Sequence, residues 1–98
     1  MKFVTEFKEF HKKCADSMLD HISDQPIEGK EKVLRYLKNA EEDGVRCAGI
    51  YDHVEKESTM KTIHLYTDGE YYWTSEEIYH FEKYNIPLNK RFLQKVLS

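Results

Sequence analysis

The segment Trp73-Thr74-Ser75-Glu76-Glu77-Ile78 constrains this chain more than any other stretch. Thr74 followed three residues later by Glu77 spells a capping box. The hydroxyl accepts from a backbone amide of the first helical turn, and the carboxylate reaches back to the amide of the capping residue. Trp73 before the cap and Ile78 after it complete a hydrophobic staple. Glu76 and Glu77 stand where the helix dipole favours negative charge. A helix therefore starts at Ser75. Asn85 suits the left-handed position that ends it, and Pro87 prevents its return. The same grammar recurs at Leu88-Asn89, where Asn89 caps and Leu88 with Leu93 staples. A short last helix then carries Phe92, Leu93, Val96 and Leu97.

Upstream of Trp73 the apolar period falls to two. Residues 45–55, 60–67 and 70–73 read as three strands. The polar loop 55–59 joins the first two, and Asp68-Gly69 is the signal for a two-residue type I′ hairpin between the second and third. Further upstream, Phe3, Phe7, Phe10, Cys14, Met18 and Ile22 fall at three- and four-residue steps and predict an amphipathic helix over 3–22, closed by Pro26. Val33, Leu34, Leu37 and Ala40 predict a second helix over 29–42, punctuated by Gly44. Glu41-Glu42-Asp43 would then oppose the dipole at its C-terminus, at a cost of about a few tenths of a kcal/mol each. The expected fold is one α+β domain over residues 1–98: two N-terminal helices, a three-stranded antiparallel meander and two C-terminal helices.

Ninety-eight residues suit a single small domain, with no room for a deep cofactor cleft between two. No apolar run approaches the length of a membrane span, and the N-terminal segment lacks the apolar region of a secretory signal. Two cysteines, Cys14 and Cys47, are too few for a disulfide framework and read as reduced, partly buried thiols. A cytoplasmic location is the expectation.

The net charge of −3 is unevenly spread. Residues 41–77 carry three Lys/Arg against ten Asp/Glu, whereas both flanks are net positive. Phosphate backbones recruit Lys and Arg, so the acidic middle argues against a nucleic-acid partner. It suits a basic protein, whose approach an acidic face accelerates.

No constellation of residues specifies chemistry. His11 and Cys14 share a helical spacing, but structural zinc needs four ligands and no further pair supplies them. Cys47 lacks a local nucleophile signature and reads as a buried strand thiol. His53, His64 and His80 read as hydrogen-bonding rather than catalytic groups. No Gly-rich loop offers a phosphate cradle. The expectation is a non-catalytic protein without metal or cofactor. Tyr66, Tyr71, Tyr72, Trp73 and Tyr79, interleaved with acids, have the composition of an interface. Turn, cap and staple account for Asp68, Gly69, Trp73 and Ile78 without a partner.

The run from Leu65 through Thr67-Asp68-Gly69, Trp73 and Lys83-Tyr84 to Phe92, together with Lys32-Val33-Leu34-Arg35-Tyr36-Leu37-Lys38, resembles small bacterial immunity proteins. These accompany polymorphic toxins, including those of contact-dependent growth inhibition systems. The resemblance implies a toxin inhibitor that binds its cognate toxin stoichiometrically and occludes it. Many such toxins are basic nucleases, which fits the acidic middle of the chain. The expected toxin-facing residues are Glu41, Glu42, Asp43, Asp52, Glu55, Glu57, Glu70 and Tyr71. The expected partner is thus a basic toxin domain, with no nucleic acid and no membrane, and the protein alone is expected to be a monomer or weak homodimer. The competing expectation is a non-catalytic adaptor or self-associating interaction domain using the same aromatic hairpin.

Overall fold

In the computed structural model, which describes residues 2–98, four strands and three α-helices share one core. Strands β1 (Lys2–Phe3), β2 (Glu41–Asp52), β3 (Glu57–Thr67) and β4 (Tyr71–Thr74) form one sheet in the order β1-β4-β3-β2. β1 runs parallel to β4, and the other pairs are antiparallel. Helices α1 (Lys30–Lys38), α2 (Ser75–Tyr84) and α3 (Lys90–Leu97) complete the fold. The expected arrangement of two helices, a three-stranded meander and two helices is corrected to a mixed four-stranded sheet with three helices.

The largest correction is the helix expected over 3–22. Lys2 and Phe3 instead pair with Tyr71 and Tyr72, isolated turns follow around Phe7–Cys14, and Met18–His21 forms a 3-10 helix. Its three Phe, two His and two Asp are middling helix formers, so tertiary contacts decide its course. Phe7 and Met18 of the supposed stripe are buried, as is Val4 outside it, whereas Phe3 and Ile22 of the stripe are exposed. Glu9 closes the alternative structure. Its carboxylate accepts from the Met18 amide at 2.9 Å and from the Ser17 hydroxyl. Burial disfavours its charge, but those two bonds prevail and hold it below the usual carboxylate range.

The second helix ends at Lys38 rather than at residue 42. Arg35 and Lys38 occupy its last turn, where the dipole favours them. Glu41, Glu42 and Asp43 belong to β2, so the electrostatic conflict implied by a longer helix does not arise. Gly29 caps the start of α1 with a left-handed φ of 81°. A Cβ there would stand 2.8 Å from Leu97 Cδ2, so α1 and α3 approach closely because residue 29 has no side chain.

Downstream of the sheet the local reading holds. Thr74 accepts from the Glu77 amide, and the Glu77 carboxylate accepts from the Thr74 amide at 3.1 Å. Asn85 ends α2 at φ 55°, and Asn89 caps α3 by accepting from Arg91 and Phe92. The hairpin between β3 and β4 departs from type I′, because only Gly69 takes a positive φ there. Asp68 holds the turn by accepting from the amides of Glu70 and Tyr71. Trp73 lies at the centre of the core. Its indole N–H donates to the Leu37 carbonyl at 3.1 Å, and its ring stands 5.6 Å from that of Phe92.

Candidate functional site: a carboxylate-lined cleft beside an acidic edge strand

Part of the charge segregation along the chain cancels in the fold. Lys95 of α3 donates to Asp68 and Glu70, both at 2.9 Å, and Lys2 donates to Glu70 at 2.8 Å. Lys83 of α2 lies 3.3 Å from Asp52. The basic flanks thus fold back onto the acidic middle and pair with it.

Two of the expected toxin-facing residues are consumed by this architecture. Asp52 is 1% exposed. Its carboxylate accepts from the hydroxyls of Tyr79 and Tyr84, both at 2.6 Å, and from the amides of Val54 and Glu55. Burial alone would raise its pKa, but these bonds outweigh it and hold the group well below the usual carboxylate range. Tyr84 is correspondingly pushed up to about 12, by burial and by its bond to Asp52. Tyr71 is 4% exposed and packs edge-on against Phe92 at 5.1 Å, with Lys2 and Lys95 over its ring. Both residues lie inside the protein and offer no face to a partner.

Glu41, Glu42, Asp43, Glu55, Glu57 and Glu70 are exposed. Glu70 is tied to Lys2 and Lys95, and Glu42 to His64. Glu41, Asp43, Glu55 and Glu57 make no ion pair or side-chain hydrogen bond among the described residues. They flank the two ends of the β2–β3 hairpin. β2 is the outer strand of the sheet, and its ladder to β3 is broken by three register shifts. Such irregularities blunt an edge against indiscriminate strand pairing. Val45, Cys47, Tyr51 and Met60 are exposed on the hairpin, so the expected buried thiol at Cys47 is corrected.

Beside this hairpin opens a cleft of about 410 Å³. The N-terminal segment supplies Phe3, Glu9, Phe10 and His11, β2 supplies Asp43 and Arg46, and the start of α2 supplies Glu76 and Glu77. Tyr72, Trp73 and Thr74 line it from β4, and Leu65 and Tyr66 from β3. The capping box places Glu77 at the floor, where its second oxygen accepts from the Thr5 hydroxyl at 2.6 Å. The imidazole of His11 stacks against Phe3 at 4.2 Å, and its Nε2 stands 3.4 Å from Glu77 without forming a hydrogen bond.

A second pair of imidazoles stands next to the cleft. His80 is fully buried; its Nδ1 donates to the Glu76 carbonyl at 2.7 Å, and its Nε2 accepts from the His53 amide at 3.1 Å. That network requires a neutral ring, and burial lowers the His80 pKa accordingly. The Nε2 atoms of His11 and His53 are both shielded from solvent and have no hydrogen-bond partner among the described residues. His53 Nε2 lies 3.6 Å from a Glu76 oxygen.

The sequence reading did not single out this cleft. Glu76 and Glu77 had a sufficient explanation in the helix start, and His11 was placed on a helix that does not form. Among the described residues no group of three or more His, Cys, Asp or Glu side chains is arranged to hold a metal ion, and no helix is long and apolar enough to cross a membrane. No protein-family model matches the chain, and neither the curated proteins nor the solved structures include a significant match to it.

Proposed function

We propose that this protein is an immunity-type inhibitor that binds a basic toxin, a nuclease by preference, and neutralises it by stoichiometric occlusion. The observation that carries the reading is the set of exposed, unpaired carboxylates Glu41, Asp43, Glu55 and Glu57 on the outer hairpin. Elsewhere in the middle segment Asp52, Asp68 and Glu70 are paired with lysines, and Glu42, Glu76 and Glu77 stand beside histidines. Carboxylates left unmatched beside a sheet edge with exposed apolar residues are complementary to a positively charged protein surface. Such a field raises the association rate of a basic partner and repels nucleic acid. The resemblance to immunity proteins supports the same reading.

The test is co-expression with the toxin encoded beside the gene. The expected result is rescued growth and a one-to-one complex whose association slows as salt is raised. Absence of both complex and rescue would overturn the proposal.

Self-association is the second reading, and the exposed Val45, Tyr51 and Met60 on an outer hairpin favour it. Light scattering on the isolated protein separates the two. A stable dimer supports self-pairing, and a monomer across the micromolar range removes it.

A further inference from the structure

We propose that the cleft between the N-terminal segment and the start of α2 is a receptor for one basic side chain, an arginine or lysine presented by the protein partner. The proposal rests on the inhibitor reading only for the identity of that partner. Four carboxylates line the cleft, those of Glu9, Asp43, Glu76 and Glu77. None of them pairs with a lysine or arginine among the described residues, whereas Asp52, Asp68, Glu70 and Glu82 each do. Arg46, the single Lys or Arg of the lining, makes no ion pair.

The shape suits the same occupant. A volume of about 410 Å³ lies within the usual range for sites that enclose a small group. Phe3, Phe10 and Tyr72 contribute aromatic surface against which a guanidinium can stack. Phe10 is itself held edge-on by His80 at 5.4 Å, so the wall is fixed before anything binds. Buried polar atoms in native proteins are nearly always bonded, yet His11 Nε2 on this wall is not. Neutral internal donors hold Glu9, Glu76 and Glu77 in place without cancelling their charge, and Asp43, which has no such donor, is the carboxylate free to meet the planar fork of donors on arginine. An anionic ligand would meet uncompensated carboxylates.

Asp43 ties the cleft to the outer hairpin, because it belongs to both. A partner drawn to the acidic hairpin would therefore find the cleft directly beside its landing site. Side chains buried in such recesses dominate the affinity of interfaces, and arginine is among the commonest of them.

The experiment is a backbone amide shift titration with the peptide acetyl-Gly-Arg-Gly-amide, using the citrulline peptide as the uncharged control. The expected result is saturable shifts at Phe10, His11, Asp43 and Glu76 with the arginine peptide and none with citrulline. The double variant Asp43→Asn, Glu76→Gln should weaken binding about tenfold or more, and Glu55→Gln should leave it unchanged. Equal response to citrulline, shifts located elsewhere, or no saturable response would overturn the proposal. Free arginine binding as tightly as the peptide would also overturn it, by marking a small-molecule site. Peptide binding without toxin neutralisation would count against the inhibitor reading alone. Neutralisation without peptide binding would count against the cleft alone.

Discussion

The hydroxyl of Tyr84, at the end of α2, donates to the carboxylate of Asp52, at the end of β2, across 2.6 Å. Tyr79 and Lys83 reach the same oxygen, and the other oxygen caps the β2–β3 turn. One buried carboxylate therefore fixes the outer hairpin to the helix behind it. Asp52→Ala leaves two half-buried hydroxyls and two turn amides without their acceptor. The expected loss is roughly 2–4 kcal/mol of unfolding free energy, measured by urea denaturation at pH 7. An unchanged midpoint would show that the turn holds without it.

Acid should destabilise the fold in two steps. His80 has a folded pKa below the ordinary value of 6.5, so below that pH the unfolded chain binds a proton that the native state refuses. Its contribution is fully present above pH 6.5 and declines as pH falls. Asp52 and Asp68 are likewise held below their ordinary value of 3.8, despite burial, by the hydroxyls, lysines and amides around them. Their contribution is present above that value and is lost as pH falls further. Urea midpoints should therefore drop first between pH 7 and 5.5 and again below pH 4. His80→Gln should flatten the first step and leave the second.

Two backbone positions offer opposite tests. Gly29→Ala places a Cβ at φ 81° and against Leu97, and is expected to cost about 1–2 kcal/mol. Met60 holds φ 66° at 91% exposure, a conformation unfavourable to a side chain that packs on nothing. Met60→Gly should be neutral or stabilise by up to about 1 kcal/mol. Thermal melts of both variants decide; equal losses would show that neither φ matters.

Charge on the outer hairpin should be dispensable for folding. Reversing Asp43, Glu55 and Glu57 to lysine is expected to change stability by less than about 0.5 kcal/mol per site, because none has a partner to lose. The same variant should bind a basic toxin more slowly and with weaker salt dependence. Melting curves and stopped-flow association measure the two effects separately.

Local chemistry was legible in the sequence, and long-range pairing was not. Thr74, Glu77, Asn85 and Asn89 act within a few residues of themselves, so their roles could be read directly from spacing. The segment 3–22 has helical spacing, but Lys2 pairs with Tyr71, and no local pattern encodes that bond. The three acids at 41–43 did carry a signal: a helix ending on them opposes its own dipole, and the structure ends it earlier. The acidic middle was visible as a count, but the pairing of Asp52, Asp68 and Glu70 with Lys83, Lys95 and Lys2 required the fold. The cleft was invisible for the same reason, since its carboxylates come from three separate parts of the chain.

The parallel pairing of β1 with β4 has a consequence for how the molecule is made. Lys2 and Phe3 are synthesised long before Tyr71 and Tyr72, and they have no sheet to join until those residues emerge. A strand made before the rest of the sheet is thus among the last to find its place. Until then one wall of the cleft is missing, and the carboxylates of α2 face open water. Recognition through that cleft becomes available only when β1 has docked on β4.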